Sequence, residues 1–405
     1  MECLKEQEKQ QEKQEKEEIK NKFIVSYRRF DNLGNTCYMG SILHILQQCP
    51  ILADYFYIAP FSKNIIKNNK SNNIEDNILN YISYNLYRLF TFSISEDDRL
   101  GDEDTKIKAE TFRECIGRKD DIWLENNHQD SQEFLNFLIY KMEEEIGIKM
   151  NLLPGRITLE DVKKDILEDV KKDILEDVKE KNISFNKEYL SLLAGIIFKR
   201  YVVNEYSPLK EMFGGLLLTK TKCEYCSNVK NIFDPINMLQ LSIPDNNLKE
   251  YTLDDCLEFF LKQEQLDKCS AINCEFCSFK SRAYKNYLIW KTPKILIIHF
   301  KRFEKTRKIK LTNKISYPVY DLDLSKYMDD NSPYKSTCKY NLIGINLHDD
   351  FRMGRIDFGH YTSMVKNRLD NKWLFFNDGK KPQVINNEES LQQKDAYMLF
   401  YYRDS

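Results

Sequence analysis

The chain has 405 residues, 42% of them hydrophobic, and a formal net charge of -2 at pH 7. This length can bury two or three core units, or one large domain with sub-domains, and the near-neutral charge gives no electrostatic reason to expect a nucleic-acid partner. No apolar run is long enough to cross a bilayer, so the composition favours a soluble intracellular protein over a membrane-bound one.

Residues 1–22 are mostly Glu, Lys and Gln, and so few apolar side chains cannot bury a core. We predict a solvated tail, with partner binding as the less favoured alternative. The charged N-terminus does not resemble a signal peptide, so we expect the cytoplasm or the nucleus. Eleven cysteines in such a protein indicate reduced thiols and metal ligands rather than disulfides.

A cysteine follows turn-forming residues in the stretch 32–39, which has the sequence NLGNTCYM. Apolar residues spaced three and four apart over 42–49 then predict a helix, which Pro50 ends. Cys37 therefore lies on the first turn, where unpaired N–H groups and the helix dipole favour a reactive thiolate. The plainer alternative is a small buried cysteine, because a thiolate nucleophile also needs a base.

Three further helices are predicted before residue 150. Apolar spacing indicates a core helix over 74–92, then a polar loop over 93–109 and a short helix over 109–116. A long helix is predicted from Gln129 to Ile146, and Asp130 is placed to cap it.

An internal repeat occupies residues 159–180, where LEDVKKDI occurs twice in succession and begins a third time. With this period the apolar stripe of a helix advances by about 80° per copy. No single face stays apolar over three copies, so we predict an exposed helical insertion rather than a specific binding surface.

Two Cys-x-x-Cys pairs, Cys223 with Cys226 and Cys274 with Cys277, are separated by 47 residues. Each pair can hold one side of a tetrahedral zinc ion, and four thiolates would close a structural site. Two unrelated thiol pairs are the alternative, although the ligand count fits zinc well. Cys269 could replace one ligand at poorer spacing. A thioredoxin-like redox role is disfavoured, because neither pair opens a helix after a strand.

Strands alternate with one helix in the rest of the chain. A strand is predicted over 237–244, an amphipathic helix over 251–261 capped by Thr252, and a buried central strand over 294–300. His299 lies on that apolar strand, so we expect it to be structural. Short strands then predict an antiparallel sheet, and they cover 315–317, 340–347, 361–365, 373–377 and 396–401.

A histidine and an asparagine are predicted to meet across a hairpin of this sheet. His360 lies at the start of one strand and Asn377 at the end of the next, and such a partner fixes the imidazole tautomer. A lone histidine at a strand edge is the commoner alternative. His348 is a rival base, but its acidic neighbours suggest a turn, and residues 349–354 are predicted as a loop over the cleft.

Three motifs occur in the order found in ubiquitin-specific proteases: the cysteine stretch at 32–39, the QDSQEFL box at 129–135 and the GHY box at 359–361. The chain resembles this deubiquitinase family over about residues 25–405. Several motifs in the right order are more specific than any one of them.

Four residues depart from the family pattern. Ser131 and Gln132 stand where Ala and His are usual, and Gly40 and His44 replace the usual Asn and Gln after the cysteine. None of the four is expected to take part in the chemistry, so the departures concern local packing.

The resemblance implies an α+β fold: a papain-like cysteine protease core with a helical thumb, an antiparallel β palm and zinc-ribbon-like β fingers. The catalytic domain would occupy residues 23–405, after the charged tail. Its parts are expected at about 23–150 for the thumb, 151–190 for the repeat-containing insertion, 205–290 for the fingers and 291–405 for the palm.

The resemblance also implies thiol-dependent hydrolysis of the isopeptide or peptide bond after the C-terminal glycine of ubiquitin. Cys37 would attack the carbonyl, and His360 would accept the thiol proton and later deliver it to the leaving amine. Asn377 would orient His360, with Asp378 beside it as a supporting or substitute residue. Asn32 would donate its amide to the oxyanion, a contact typically worth about 2.7–4 kcal/mol in the transition state.

The expected partners are ubiquitin and ubiquitinated proteins, and we expect a monomer without nucleic-acid or membrane partners. The expected cofactor is a structural Zn²⁺ on the four cysteines, with no catalytic metal and no organic cofactor. Three alternatives stay open: a catalytically inactive ubiquitin-binding scaffold, a zinc-ribbon interaction protein and a protease for a ubiquitin-like modifier. The joint presence of Cys37, His360, Asn377 and Asn32 argues against the scaffold.

Overall fold

The computed structural model describes residues 29–58, 79–91, 103–147, 184–203, 207–244, 248–266, 271–274, 276–304, 309–349, 359–368 and 370–403. The predicted tail, the repeat, Cys269 and most of the loop predicted at 349–354 lie outside these residues.

Helices form the thumb, and they carry the first part of the core. Within the described residues they are α1 (Cys37–Gln48), α2 (Pro50–Ile58), α3 (Ile82–Thr91), α4 (Glu103–Gly117) and α5 (Ser131–Ile146). α1 is buried along nearly its whole length, because α2 and α5 pack on it from one side and palm strands from the other. The helix predicted after the cysteine is therefore confirmed, and it is the central element of the thumb.

Two thumb helices begin elsewhere than predicted. α4 begins at Glu103, so residues 103–108 are helical where a polar loop was predicted. Glu and Lys are good helix formers, and apolar spacing cannot detect a turn that they build. The described part of the core helix predicted over 74–92 begins at Ile82, after a turn at 79–80.

The N-terminus of α5 has the predicted cap. Asp130 lies in extended backbone just before the helix, and its carboxylate accepts a hydrogen bond from the backbone N–H of Gln132. This bond satisfies one of the N–H groups that have no partner within the first turn.

An antiparallel four-stranded sheet forms the fingers. Its order is β2 (Val229–Ile236), β1 (Gly215–Cys223), β8 (Ala283–Lys291) and β5 (Glu264–Leu266). The short strands β6 (Ile272–Asn273) and β7 (Lys280–Ser281) pair with each other. Two helices precede this sheet, α6 (Ser184–Val203), which packs on β2, and α7 (Pro208–Phe213), which leads into β1.

The palm is an eight-stranded sheet. Its order is β17 (Gln383–Ile385), β16 (Trp373–Phe376), β15 (His360–Lys366), β14 (Lys339–Asp349), β18 (Ala396–Tyr402), β9 (Ile295–Lys301) and β3 (Leu239–Ser242), with β13 (Leu322–Asp323) beside β14. The neighbours are antiparallel except β3 and β9, which are parallel. The sheet is therefore antiparallel as predicted apart from this edge, where a long connection returns the chain in the same direction.

Smaller elements complete the palm. α8 (Leu253–Leu261) begins after β4 (Glu250–Thr252), which pairs in parallel with β12 (Lys314–Ser316). Thr252 and Asp255 form a reciprocal capping box, so the predicted Thr252 cap is confirmed. The other elements are β10 (Phe303–Glu304), β11 (Ile309–Lys310) and 3₁₀ turns at Asp121–Trp123, Ser325–Tyr327 and Glu388–Leu391.

α1 lies directly on β14 and β15 of the palm. A Cβ atom on Gly344 of β14 would lie 2.6 Å from Cγ2 of Ile45, so glycine is what permits this close approach. The contact brings the N-terminus of α1, with Cys37, to the end of β15 where His360 begins the strand.

No helix in the described part of the chain combines the length and the apolar content that a bilayer crossing requires.

Candidate active site

The nucleophile candidate lies at the start of α1, after a loop that its own side chains hold together. The Asn32 Oδ1 atom accepts hydrogen bonds from the N–H groups of Gly34 at 3.1 Å and Thr36 at 2.9 Å. Thr36 Oγ1 in turn accepts one from Leu33 N at 2.8 Å. Cys37 follows as the first helical residue and is 3% exposed, so its sulfur sits in a nearly dry environment.

The hairpin of β15 and β16 brings the base candidate to its predicted partner. The strands pair antiparallel from Ser363 with Phe376 to Lys366 with Trp373, which places the two ends of the hairpin side by side. His360 Nε2 lies 2.9 Å from Asn377 Oδ1. The predicted meeting of His360 and Asn377 is therefore present.

The side chain of Cys37 hydrogen-bonds to His360, and this bond is the main reason that the pKa of His360 rises to about 9. Partial burial opposes the rise, while the hydrogen bond to Asn377 and the charge of Asp378 add to it. With Nε2 against Asn377, Nδ1 is the ring nitrogen left for the sulfur. An imidazole whose pKa lies well above neutrality stays protonated at pH 7 and can donate a proton.

Asp378 joins the loop before Cys37 to the loop after β16. Its Oδ2 atom lies 3.6 Å from His360 Nε2 and accepts a hydrogen bond from Asn32 Nδ2 at 3.3 Å. A Cβ atom on Gly379 would collide with Oδ1 of the exposed Asp31, so the two loops meet closely here and a larger residue would require the Asp31 side chain to move. The amide predicted to face an oxyanion is thus held at the mouth of the site by a carboxylate.

An arginine that the sequence analysis missed holds the loop before the cysteine. Arg113 on α4 donates from Nη1 to the carbonyl of Leu33 at 2.7 Å and from Nη2 to Asn126 Oδ1 at 2.9 Å. The same guanidinium also reaches the backbone carbonyls of Trp123, Leu124 and Glu125. The sequence feature that could have indicated Arg113 is its position next to Phe112, which is buried in the apolar stripe of the helix.

A cavity of about 820 Å³ opens beside the contact between Asn32 and Asp378. Its lining includes Asp31, Arg113 and Lys380 as well as these two residues. The space adjoins the candidate oxyanion donor Asn32, but neither Cys37 nor His360 lines it.

The box residue Asp130 fixes part of the palm as well as capping α5. Its Oδ1 atom accepts from Gln132 N at 2.7 Å, and its Oδ2 atom accepts from the Tyr397 hydroxyl at 2.6 Å. One carboxylate therefore ties α5 to β18. Gln132, one of the departures from the family pattern, points its Nε2 at the sulfur of Met238 at 3.6 Å.

The rival base His348 and the histidine predicted to be structural, His299, both lie inside the palm. His348 is in β14 rather than in a turn, because the strand continues to Asp349, and its ring packs against Tyr361 and Phe303. His299 is buried against Tyr397, and burial lowers its pKa to about 3. The prediction of a structural His299 agrees with this packing.

The two cysteine pairs come together at one end of the fingers sheet. The sulfurs of Cys223, Cys226, Cys274 and Cys277 all lie within 4.8 Å of one another. A backbone N–H of Cys226 lowers the pKa of Cys223 to about 6, which favours the thiolate that a metal binds. Four thiolates at this spacing suit a tetrahedral zinc ion.

The two turns that present these sulfurs have the same hydrogen-bond pattern. In the first, Cys223 N donates to Asn228 O at 2.9 Å, and Ser227 N donates to Cys223 O at 3.0 Å. In the second, Cys274 N donates to Phe279 O at 3.0 Å, and Ser278 N donates to Cys274 O at 2.8 Å. Two matching knuckles thus bring four thiols close enough together that they could bind one zinc ion.

Similarity to known proteins identifies the family to which this fold belongs. The model of the family described as "Ubiquitin carboxyl-terminal hydrolase" matches residues 28–401. The chain belongs to the ubiquitin carboxyl-terminal hydrolase family, and the resemblance found in its motifs is confirmed.

Three curated relatives illustrate the extent of the similarity. Ubiquitin carboxyl-terminal hydrolase 2 of Homo sapiens is 29% identical over 377 residues, which cover 91% of this chain and 54% of the relative. Its counterpart in Gallus gallus is 30% identical over 298 residues, covering 73% of this chain and 74% of the relative. Ubiquitin carboxyl-terminal hydrolase 4 of Saccharomyces cerevisiae is 25% identical over 390 residues, covering 92% and 39%. The chain spans about half the length of the human relative.

Two solved structures share the fold. The SAGA Ubp8/Sgf11/Sus1/Sgf73 DUB module bound to ubiquitin aldehyde matches with a TM-score of 0.64 at 23% identity, covering 93% of this chain and 69% of that chain. The Ubp8-Sgf11-Sgf73-Sus1 SAGA DUB module matches with a TM-score of 0.58 at 22% identity, covering 93% and 67%. The mixed fold of thumb, palm and fingers that the sequence predicted is confirmed.

Proposed function

We propose that this chain is a cysteine-dependent deubiquitinase that hydrolyses the bond after the C-terminal glycine of ubiquitin. The observation that carries the proposal is the hydrogen-bonded line of Cys37, His360 and Asn377, assembled from opposite ends of the chain. Membership of the ubiquitin carboxyl-terminal hydrolase family supports it. So does the structural likeness to a module that binds ubiquitin aldehyde.

In the first step the Cys37 sulfur attacks the carbonyl carbon of the terminal glycine. A carbon–sulfur bond forms while the carbonyl electrons move onto oxygen, giving a tetrahedral oxyanion. The imidazolium of His360 then gives its proton to the leaving nitrogen as the carbon–nitrogen bond breaks. A thioester with Cys37 remains, and the freed amine carries the proton away.

In the second step His360 works in the opposite direction. Now neutral, it takes a proton from a water molecule, and the resulting hydroxide attacks the thioester carbonyl. The carbon–sulfur bond breaks, the thiolate–imidazolium pair is restored, and ubiquitin leaves as a carboxylic acid that loses its remaining proton to solvent. Asn377 keeps the ring aligned through both steps, because its Oδ1 atom holds Nε2 at 2.9 Å.

Asn32 and Asp378 serve the oxyanion in this proposal. The Asn32 acceptor oxygen is fixed by two backbone N–H groups, which leaves its Nδ2 group to point outward. Asp378 holds that group at 3.3 Å, and both residues line the cavity described above. A donor held in advance loses little freedom when negative charge develops, which is the basis of its catalytic value.

The fingers take a structural role. The proposed zinc ion, when bound to the four cysteines, cross-links the two knuckles and stabilises that end of the sheet. The thumb, palm and fingers would then surround ubiquitin, with the box around Asp130 next to its C-terminal tail. The domain boundaries, the monomeric state and a location in the cytoplasm or nucleus stay predictions.

The test is reaction with a ubiquitin whose C-terminus carries a thiol-trapping group. Wild-type protein should form a covalent adduct, Cys37→Ala should form none, and His360→Ala should form it slowly. The same probe built on ubiquitin-like modifiers would separate the rival proteases. If zinc-loaded wild type forms no adduct with any of these probes, the inactive scaffold is the better interpretation and the proposal fails.

A further inference from the structure

A buried polar chain crosses the interface between thumb and palm, outside the mechanism described above. Its centre is Asn346 on β14, which is fully buried. The Asn346 Nδ2 group donates to Ser41 Oγ on α1 at 2.9 Å. Its Oδ1 atom accepts from Ser131 Oγ at the start of α5, also at 2.9 Å. One amide therefore joins two thumb helices to a palm strand.

Both ends of this chain reach the immediate neighbours of the reacting pair. Ser41 Oγ donates to the carbonyl of Tyr38 at 3.0 Å, and Tyr38 is the residue after the nucleophile. At the other end Ser131 hydrogen-bonds to the hydroxyl of Tyr361, the residue after the base. The network is therefore continuous from the backbone beside one reacting group to the side chain beside the other.

The network is buried, which makes it costly unless it is complete. Asn346 and its cross-strand partners Ser363 and Met398 are fully buried, and so is Ser131. Each donor and acceptor named here has its partner, so the cost of burying polar groups is met. Apolar side chains would fill the same space but would fix the relative position of helix and strand less narrowly, because hydrogen bonds are directional.

Ser131 supplies a second reason to look for a role. Its hydroxyl lies between two polar groups of the palm, the Asn346 amide and the Tyr361 hydroxyl. That hydroxyl is also the group that satisfies the Asn346 carbonyl oxygen. Ser131 and Asn346 thus satisfy each other's buried hydrogen-bonding groups.

We propose that Ser131, Asn346 and Ser41 are positioning residues that set the separation of the Cys37 sulfur and the His360 ring across the thumb–palm interface. The inference rests on the proposed function in taking Cys37 and His360 as the reacting pair. The three residues act through the backbone of α1 and through Tyr361, and they contact neither substrate nor the reacting atoms.

Two variants test the proposal. Ser131→Ala removes one donor and leaves the Asn346 oxygen without that partner. Ser131→Ala with Asn346→Leu replaces the network by apolar groups of similar size, a change that can be nearly neutral for stability. The matched control is Ser83→Ala, since Ser83 is also fully buried but hydrogen-bonds to Glu145 within the thumb.

Three quantities are measured: kcat and KM for a ubiquitin fused to a fluorogenic amine, the alkaline pH limit of kcat/KM, and the rate of Cys37 alkylation by iodoacetamide at pH 7. Both network variants should lose about tenfold or more in kcat with KM changed less than about twofold, because small misplacements of reacting groups are costly. Alkylation should slow similarly. The alkaline limit should move from near pH 9 towards the ordinary imidazole value of 6.5.

The control variant should lose stability yet keep kcat and the pH limit. The proposal is overturned if the double variant folds with wild-type kcat and pH limit, or if Ser83→Ala loses as much activity as the network variants. It is also overturned if neither network variant folds, since the network would then be a requirement of stability. Alkylation needs no ubiquitin, so failure of the proposed function would be visible separately as wild-type protein that is alkylated but cuts no ubiquitin.

Discussion

The imidazole of His360 is held from both sides, by the Cys37 side chain and by Asn377 Oδ1 at 2.9 Å. Both contacts favour its protonated form, and together with Asp378 they outweigh the partial burial that opposes it. The raised pKa means that the imidazolium persists through neutral pH and is lost only as the pH approaches about 9. In the proposed mechanism this imidazolium is the general acid that protonates the leaving amine.

The first prediction concerns this proton. Wild-type kcat/KM should fall on the alkaline side with an apparent pKa near 9, which belongs to the pair rather than to the ring alone. Asn377→Ala removes one contact that raises the pKa of His360, so the limit should move to lower pH and kcat should fall. Asn371→Gly is the control, since Asn371 lies in the same hairpin at a φ of 58° that glycine adopts freely. An unchanged alkaline limit in Asn377→Ala would contradict the assignment.

The second prediction concerns the oxyanion donor. Asn32→Asp keeps the oxygen that accepts from Gly34 and Thr36 but removes the donor group, so kcat should fall by about 10²-fold with little change in KM. Steady-state kinetics with a fluorogenic ubiquitin substrate would measure this. The new carboxylate would also repel Asp378, so the double variant with Asp378→Asn is the control. Recovery of wild-type kcat in the double variant would assign the loss to repulsion rather than to a missing donor.

At the scale of elements, the site depends on how closely α1 approaches the palm. His44, which replaces the glutamine usual in the family, stacks on Phe376 of β16 with ring centroids 4.2 Å apart. Phe376 immediately precedes Asn377, so this contact joins the helix that carries Cys37 to the strand that leads to Asn377. His44 therefore acts as a packing residue between α1 and β16.

The third prediction tests the approach of α1 to β14. Gly344→Ala should destabilise the fold by about 1–3 kcal/mol, because the new Cβ would lie 2.6 Å from Ile45 Cγ2 and the core must shift. Kinetic activity should fall with it, since α1 carries Cys37. Chemical denaturation would give the change in the free energy of unfolding.

A glycine in open space provides the matched control. A Cβ atom added to Gly195 of α6 would have no neighbour within 4 Å, and the residue lies in a helix, so Gly195→Ala should stabilise the fold by about 0.5–1 kcal/mol. Relief of the Gly344→Ala loss by a second substitution, Ile45→Val, would tie the effect to the contact with α1. Equal stability of Gly344→Ala and wild type would show that α1 is free to move away from the sheet.

At the scale of the whole molecule, the proposed catalytic centre and the cysteine cluster belong to different sheets. The cluster is built from the fingers sheet and its paired short strands, whereas His360 and Asn377 belong to the palm hairpin. The two sites should therefore respond differently to loss of metal.

The fourth prediction follows from this separation. Removing zinc with a chelator, or introducing Cys226→Ser, should lower the melting temperature and raise KM for ubiquitin substrates. The rate of Cys37 alkylation at pH 7 should stay unchanged. A matched control is Cys256→Ser, a buried cysteine of α8 outside the cluster, which should lose stability without altering zinc content measured by elemental analysis. A zinc-free wild-type protein with full stability would refute the structural zinc.

The sequence by itself determined the helix that carries Cys37 and the main strands of the palm, whereas α2, α6 and the long fingers strands β1, β2 and β8 were not predicted from it. The helix that begins at Cys37 followed from apolar spacing and from Pro50, because helix periodicity is a local property. The predicted strands ended within two residues of the observed ones, since alternation and turn residues mark them locally. The cysteine pairs could be recognised in the sequence because each knuckle is a short loop with a characteristic ligand spacing.

Only the tertiary structure decided which distant residues meet. Nothing in the sequence around Asn346 shows that it joins Ser41 to Ser131, and nothing around Arg113 shows that it holds the loop at Leu33. The place of β3 beside β9 likewise depends on chain segments far apart in sequence. The physical reason is that propensity and periodicity act over a few residues, whereas the relative position of thumb and palm is set by packing and hydrogen bonds that exist only after the chain has folded.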